Sequence, residues 1–339
     1  MMTARVARRS FTAGLGAAAI VRPSRGAEPV RLRVSLDSLP SHRRTIAVAD
    51  FLDKLEGASQ GRIKGQLFHS AALFSDLNVP RALFQEQVDM ALPGTWVLTG
   101  FVPSCEIFQL PAMYSVPIET AHRITDGKAG AMLSGELDRK LKLHTLGPWL
   151  DLGYSEWFSA TRPLNSLADL HGMKICNSGG AGQGWHASYF GAIPNTTSWP
   201  NVPLALAQNT FDGLQSTYES VASAKLWESG VKYALQDDQA FSVYLPVVSN
   251  GFWNGLTEDL QQLMTGLWAD HIAGYRTEMI ASQARARDTL ESHGVKVVAP
   301  PVEEFAAVRA RMLPEQDKLI AAWKIEPAFA AEMTRELES

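Results

Sequence analysis

Residues 30–68 read VRLRVSLDSLPSHRRTIAVADFLDKLEGASQGRIKGQLF. Leu32, Val34 and Leu36 alternate as a strand does, Val48, Phe51, Leu52 and Leu55 recur at helical spacing, and Ile63, Gly65 and Leu67 alternate again. Outward from there, Pro80 stands where a first helical turn tolerates it, ahead of Leu83, and Val88, Met90 and Leu92 form a third strand. A β-α-β-α-β run of this kind builds a parallel sheet with helices on its faces, so the fold class is α/β.

A second such set begins after Gly153. It has a strand near Met173 to Cys176, a glycine-rich loop Ser178 to Gly184, and a helix expected from Trp185. Beyond Leu256 the register Leu260, Leu263, Leu267, Ile272, Tyr275, Met279 keeps helical spacing, behind a candidate N-cap at Thr257 with acids in the first turn. That helix is expected to exceed 25 residues and to reach both lobes. No Pro/Ser-rich tether separates the halves, so short hinge strands are expected between them.

The chain has 339 residues, 46% hydrophobic and 19% charged, enough for two lobes with cores of their own. Five arginines (Arg5, Arg8, Arg9, Arg22, Arg25) and no acid fall in the first 27 residues. Removing them leaves 26 of 31 bases against 35 acids, a net charge of −9, which argues against a nucleic-acid partner. Arg8-Arg9-Ser10-Phe11 followed by the small, apolar run Thr12 to Val21 reads as a twin-arginine-like export signal over residues 1–27. That run is too short to span a bilayer.

Chemistry of the usual kinds is poorly supported. Cys105 and Cys176 lack zinc or redox spacing, and whether they pair is open. The eight histidines form no HExxH or HxH pattern, so no metal and no cofactor are expected. The glycine-rich loop lacks the GK[ST] of a phosphate cradle, and no GxSxG elbow occurs. Cys176 and His186 could be a thiol and its base, but a buried cysteine is the commoner case. Nine tryptophans include Trp96, Trp157, Trp185 and Trp199 at expected strand ends or loop starts, where α/β ligand sites form.

With these segments in order, the chain resembles the solute-binding proteins of tripartite ATP-independent periplasmic (TRAP) transporters over about residues 31–300. The likeness is carried by Leu39-Pro40-Ser41-His42, Gly61-Arg62-Ile63, Val88-Asp89-Met90-Ala91 through Gly94-Thr95-Trp96, and Phe108-Gln109-Leu110-Pro111. In the second half it is carried by Arg162-Pro163-Leu164, Leu167-Ala168-Asp169-Leu170, Gly172-Met173-Lys174-Ile175 and Phe211-Asp212-Gly213. The resemblance implies a two-lobed periplasmic binding protein fold with hinge strands and a long bracing helix. One lobe would take residues 28–152 plus about 241–280, the other 153–240 plus about 281–310, with a C-terminal helix over about 311–339. It also implies a monomer in the periplasm that has no catalytic residues, captures a small-molecule solute and hands it to the permease subunits in the membrane. An exported enzyme is the competing class.

Carried over residue by residue, the resemblance implies ligand contacts at His42, Leu73, Phe74, Thr95, Trp96, Cys176, Trp199, Gln215 and Tyr218. The chain departs from the family at the arginine that usually follows the Lys-Ile strand, which is Cys176 here, and at a second arginine position, which is Ser155. A thiol cannot offset the desolvation of a buried carboxylate. A neutral, cationic or zwitterionic solute is therefore expected, boxed by Trp96, Trp199 or Tyr218. Asp37, Glu156 or Glu219 would counter its charge, or Ser38, Thr95, Ser155, Asn177 and Gln215 would hold a neutral one. The alternative is an organic acid held by the glycine-rich loop or a displaced base such as Arg162.

Overall fold

The computed structural model describes residues 28–339, without the side chain at 302; the expected export signal over 1–27 lies outside the described residues. Along the described chain the strands are β1 (Val30–Ser35), β2 (Ile63–Phe68), β3 (Met90–Ala91), β4 (Leu143–Thr145), β5 (Leu150–Tyr154), β6 (Glu156–Ser159), β7 (Lys174–Asn177), β8 (Ile193–Thr196), β9 (Gly213–Ser216), β10 (Tyr233–Leu235), β11 (Phe241–Tyr244), β12 (Val247–Ser249) and β13 (Lys296–Val298). They form two main sheets, in the orders β2-β1-β3-β12-β4 and β13-β10-β6-β9-β7-β8.

The alternating opening segment becomes β1, which pairs in parallel with β2 and β3, as a β-α-β-α-β run requires. Leu32 and Val34 are fully buried on one face with Val48, Phe51 and Leu55 of the helix Arg43–Ala58. The sheet is not parallel throughout. β12 returns from the far side of the chain and lies antiparallel to both β3 and β4. The second sheet is mixed too, with β7 parallel to β8 and β9, and β6 antiparallel to β9 and β10.

Two strands carry the chain between the lobes. β5 pairs antiparallel with β11 as a separate two-stranded ribbon; β5 runs on through Ser155 into β6, and β11 runs through Leu245 and Pro246 into β12. The third crossing is the helix Glu258–Ser292, 35 residues and so about 52 Å long. Thr257 is extended at its N-cap position, with Glu258 and Asp259 in the first turn. Leu260, Met264, Trp268 and Ile272 pack into the first lobe's core, and Ala286 and Leu290 into the second's. Between them Arg276 donates to the Trp149 carbonyl (2.8 Å) and grips Asp126 with both terminal nitrogens (2.6 and 2.7 Å). Gln283 lies so close to the ribbon that a Cβ at Gly153, whose φ is +120°, would come within 2.9 Å of it.

Two expected elements differ. The helix after the glycine-rich loop spans Ala181–Tyr189, so it starts four residues before Trp185 and takes Gly182 and Gly184 into its first turns. The C-terminal segment is not one helix over 311–339. It consists of Val302–Met312, Gln316–Ala322 and Pro327–Glu338, interrupted by a 3-10 turn at Pro314 and by Lys324, whose φ is +59° ahead of Pro327. Leu319, Ile325, Phe329 and Met333 of this segment complete the first lobe's core.

Candidate functional site

A cavity lies between the two sheets at the ribbon. It is small: about 40 Å³ is open to water centres, where one water takes roughly 10–15 Å³. The first lobe gives it the end of β1 and the loop beyond (Ser35, Asp37, Ser38), the start of the next helix (His42, Arg44), Asp76, and Leu92, Pro93, Gly94 and Trp96. The second gives Ser178, Gln183, Trp199, Gln215, Ser216, Thr217 and Ser220, and the ribbon gives Leu152, Ser155, Ser242 and Tyr244.

Five of the ten expected contacts line this cavity: His42, Trp96, Ser155, Trp199 and Gln215. Five do not. Leu73 is exposed, Phe74 packs against the first lobe's core, and Thr95 is buried where the helix Thr95–Leu98 begins. Cys176 points to the opposite sheet face from Ile175 and packs with Phe158, Val202, Leu206 and Leu214, since neighbouring strand residues alternate sides. Tyr218 lies edge-on to Phe158 (5.7 Å between ring centres) and faces a second cavity of about 290 Å³ on the other side of the ribbon. Of the proposed counter-charges, Glu156 is buried in the second sheet, accepting from the Asp237 and Asp238 amides (2.8 and 3.0 Å). Glu219 accepts from the Arg43 amide (2.9 Å). Arg162 is no displaced base: its guanidinium is held by the Asp169 and His171 carbonyls away from the cavity.

The charged groups that do line the cavity are Asp37, Arg44 and Asp76. Arg44 is buried and well occupied. Its Nε donates to Ser38 Oγ (3.1 Å), one terminal nitrogen to the Leu92 carbonyl (3.1 Å) and the other to Asp37 (2.6 Å), while its plane lies 4.1 Å over the Tyr244 ring. His42 caps its helix by accepting from the Arg44 amide at Nδ1 (3.0 Å), which leaves Nε2–H to donate to Ser220 of the other lobe (3.3 Å). Burial, and then the Arg44 charge, push its pKa well down, so the ring is neutral. Asp76 reaches across the cleft, accepting from the Ser198 hydroxyl and from the Trp199 amide (3.0 Å). It meets no base, and burial followed by the Asp37 charge raises its pKa. Ser35 Oγ and Gln215 Oε1 are buried with no protein partner; Gln215 spends its amide nitrogen on Gln239.

The glycine-rich loop is already filled. Glu106, from the first lobe, accepts from the Gly182 amide at 3.0 Å and from the Ala181 amide, so the helix start offers these amides to a side chain of this protein. Cys176 and His186 do not pair. His186 Nε2 donates to the Gln109 carbonyl (2.9 Å), and burial pushes the Cys176 thiol up to about 12, away from a reactive thiolate. Among the described residues no group of metal-ligating side chains occurs, and no helix is long and apolar enough to cross a membrane.

A polar cavity closed between two α/β lobes, which hang on two strands and a helix, defines a two-lobed solute receptor. Residues 38–322 match the model of the bacterial extracellular solute-binding proteins, family 7, and the chain belongs to that family, the receptors of TRAP transporters. Such receptors bind small solutes and deliver them to membrane permease subunits, and their place, and this chain's, is the periplasm. Over 268 residues the chain is 26% identical to the 2,3-diketo-L-gulonate-binding periplasmic protein of Escherichia coli, covering 79% of this chain and 80% of that one. It is also 26% identical to the C4-dicarboxylate-binding periplasmic protein of Rhodobacter capsulatus, over 86% and 87%. The crystal structure of a sugar acid binding protein from Advenella mimigardefordensis, holding galactonate, superposes with a TM-score of 0.85 at 21% identity over 91% of this chain and 98% of that one.

Proposed function

We propose that this receptor acts as a monomer with no chemistry of its own, and that its solute is small and brings no net negative charge: a compact amine, zwitterion or neutral polar molecule. The observation that carries this is the charge of the lining. Two carboxylates, Asp37 and Asp76, stand against one guanidinium, and that guanidinium is already paired with Asp37. A carboxylate solute entering such a lining would add a charge with no free base to meet it. An ammonium group beside Asp76 would instead lower the raised pKa of that acid and face the rings of Trp96, Trp199 and Tyr244. Ser35 Oγ and Gln215 Oε1 supply unpartnered polar atoms for hydroxyls or N–H groups.

A thermal-shift series tests this, with small amines, amino acids, polyols, and mono- and dicarboxylates at matched concentration. A ligand at a hundred times its Kd stabilises by about 2.7 kcal/mol. Amines, zwitterions or polyols should shift the midpoint, and Asp76→Asn should abolish an amine's effect. A response to carboxylates alone would overturn the reading.

One observation favours a second reading, an organic acid. The relatives named above are described as binding diketogulonate, C4-dicarboxylates and galactonate, and Arg44 keeps two N–H groups unused by its three bonds. On that reading Arg44→Met removes the carboxylate response while Asp76→Asn strengthens it.

A further inference from the structure

Gly182 occupies the second position of a regular helix, where alanine would be the better residue by about 1 kcal/mol. No left-handed backbone angle requires glycine there. A Cβ at this position would come within 2.3 Å of Gln109 Cβ, 2.7 Å of Gln109 Cγ and 2.8 Å of Glu106 Oε2, all of them atoms of the opposite lobe. The same two residues make the polar contacts: both Glu106 oxygens accept from the helix start, and the Gln109 carbonyl accepts from His186 one turn later. Glu106 is 3% exposed and has no cationic partner among its bonds. Burial raises its pKa, and the amides at the positive end of a helix of the other lobe oppose that rise. A parting of the lobes would return that carboxylate to water and leave the helix start without its cap.

We propose that Glu106 is a positioning residue for solute capture, the catch that engages the N-terminus of the helix Ala181–Tyr189 as the lobes close, and that residue 182 is glycine because that contact needs it. The proposal rests on the two lobes being moving parts around a solute, as in the function proposed above. It does not depend on which solute binds, because the catch joins lobe to lobe. Ser178 and Gln183, beside the catch, line the solute cavity, so its engagement completes that wall.

The test is the interlobe distance distribution of the full chain without added solute, by pulsed electron resonance between spin labels at Asp53→Cys and Gln208→Cys. Both positions are exposed, one on each lobe, and Cys105 and Cys176 are buried. Glu106→Gln keeps the shape but turns an amide NH2 toward a backbone N–H. The ratio of closed to open molecules should fall roughly ten- to hundredfold. Glu106→Asp should restore part of it. Gly182→Ala should open the lobes from the other side of the cleft while leaving helix content and the unfolding midpoint at or above the parent's. A closed fraction within about twofold of the parent in both Glu106→Gln and Gly182→Ala would overturn the proposal, as would a parent that is wholly open. Thermal shifts with amines or acids report the solute class separately.

Discussion

Replacing Arg44 by methionine exposes how the cavity floor is held. The side chain is almost entirely buried, 3% exposed, and its Asp37 partner is 15% exposed. Methionine would fill much of the volume over Tyr244, but it would leave the Asp37 carboxylate unpaired and the Leu92 carbonyl without its donor. Breaking a buried pair from one side costs about 3–5 kcal/mol, most of it from the charge left behind. For a folded chain of about 310 residues the unfolding entropy is about 0.65 kcal/mol per degree, so the midpoint should drop by about 5–8 °C. Removing the second charge as well, in Arg44→Met with Asp37→Asn, should recover at least about 1.5 kcal/mol, because the stranded carboxylate is gone. Differential scanning calorimetry of the parent, both single variants and the double variant closes the cycle. A drop below about 2 °C for Arg44→Met, or a double variant no more stable than that single one, would show that the ion pair does not hold this wall.

Burial pushes the Asp237 carboxyl up to about 8, beside the similarly raised Glu156, while an unfolded aspartate titrates near 4. The fold therefore binds the proton more tightly, and stability should fall as pH rises between about 4 and 8, by at most about 1.4 kcal/mol per pH unit per proton. Asp237→Asn should flatten that slope in urea titrations, and an unchanged slope would put the proton on Glu156 alone. Burial likewise pushes His186 down to about 4, with Nε2–H given to Gln109. Its imidazole should stay neutral by NMR until near that pH, its contribution to stability being lost as pH falls from about 6.5 toward 4; titration near 6.5 would show the ring is not sealed between the lobes. Cys105 and Cys176 are free and lie in the cores of different lobes. A thiol reagent should find none in the native protein and two after denaturation, and none in denaturant without reductant would mean a Cys105–Cys176 disulfide, a pairing that these cores do not permit.

Much of the fold was legible because its signals are local. The alternation around Leu32 and Val34, the helical register through Phe51, and Thr257 with its two acids each report an element without help from elsewhere in the chain. The start of the helix Ala181–Tyr189 is hidden in the sequence because Gly182 and Gly184 look like loop residues, and the reason for Gly182 comes from Gln109, more than seventy positions away. The breaks in the C-terminal segment did have a signal, in Pro314 and Pro327. In the cavity, the residues reached from aligned segments, such as Trp96 and Ser155, were easier to place than those buried only by tertiary packing. Arg44 sits in a first helical turn and reads as a solvated charge until Tyr244, two hundred residues later, covers it. Asp76 falls in a stretch with no periodicity, and only the partner lobe's Ser198 and Trp199 give it a role. The family pattern points Cys176 to the site, yet strand alternation turns it into the core.

The first lobe closes its core with residues from both ends of the chain: Leu32 and Phe51 near the start, Trp268 on the long helix, Phe329 and Met333 at the finish. β6 through β10 of the second sheet, by contrast, come from one stretch, residues 156–235. A chain emerging from the ribosome can assemble that stretch while the first lobe still waits for its last helix. The lobe whose synthesis begins first is thus the one whose last core residues are made last. Loss of the final dozen residues would therefore be felt at the opposite end of the polypeptide, as a defect in the lobe that holds Asp37, Arg44 and Asp76.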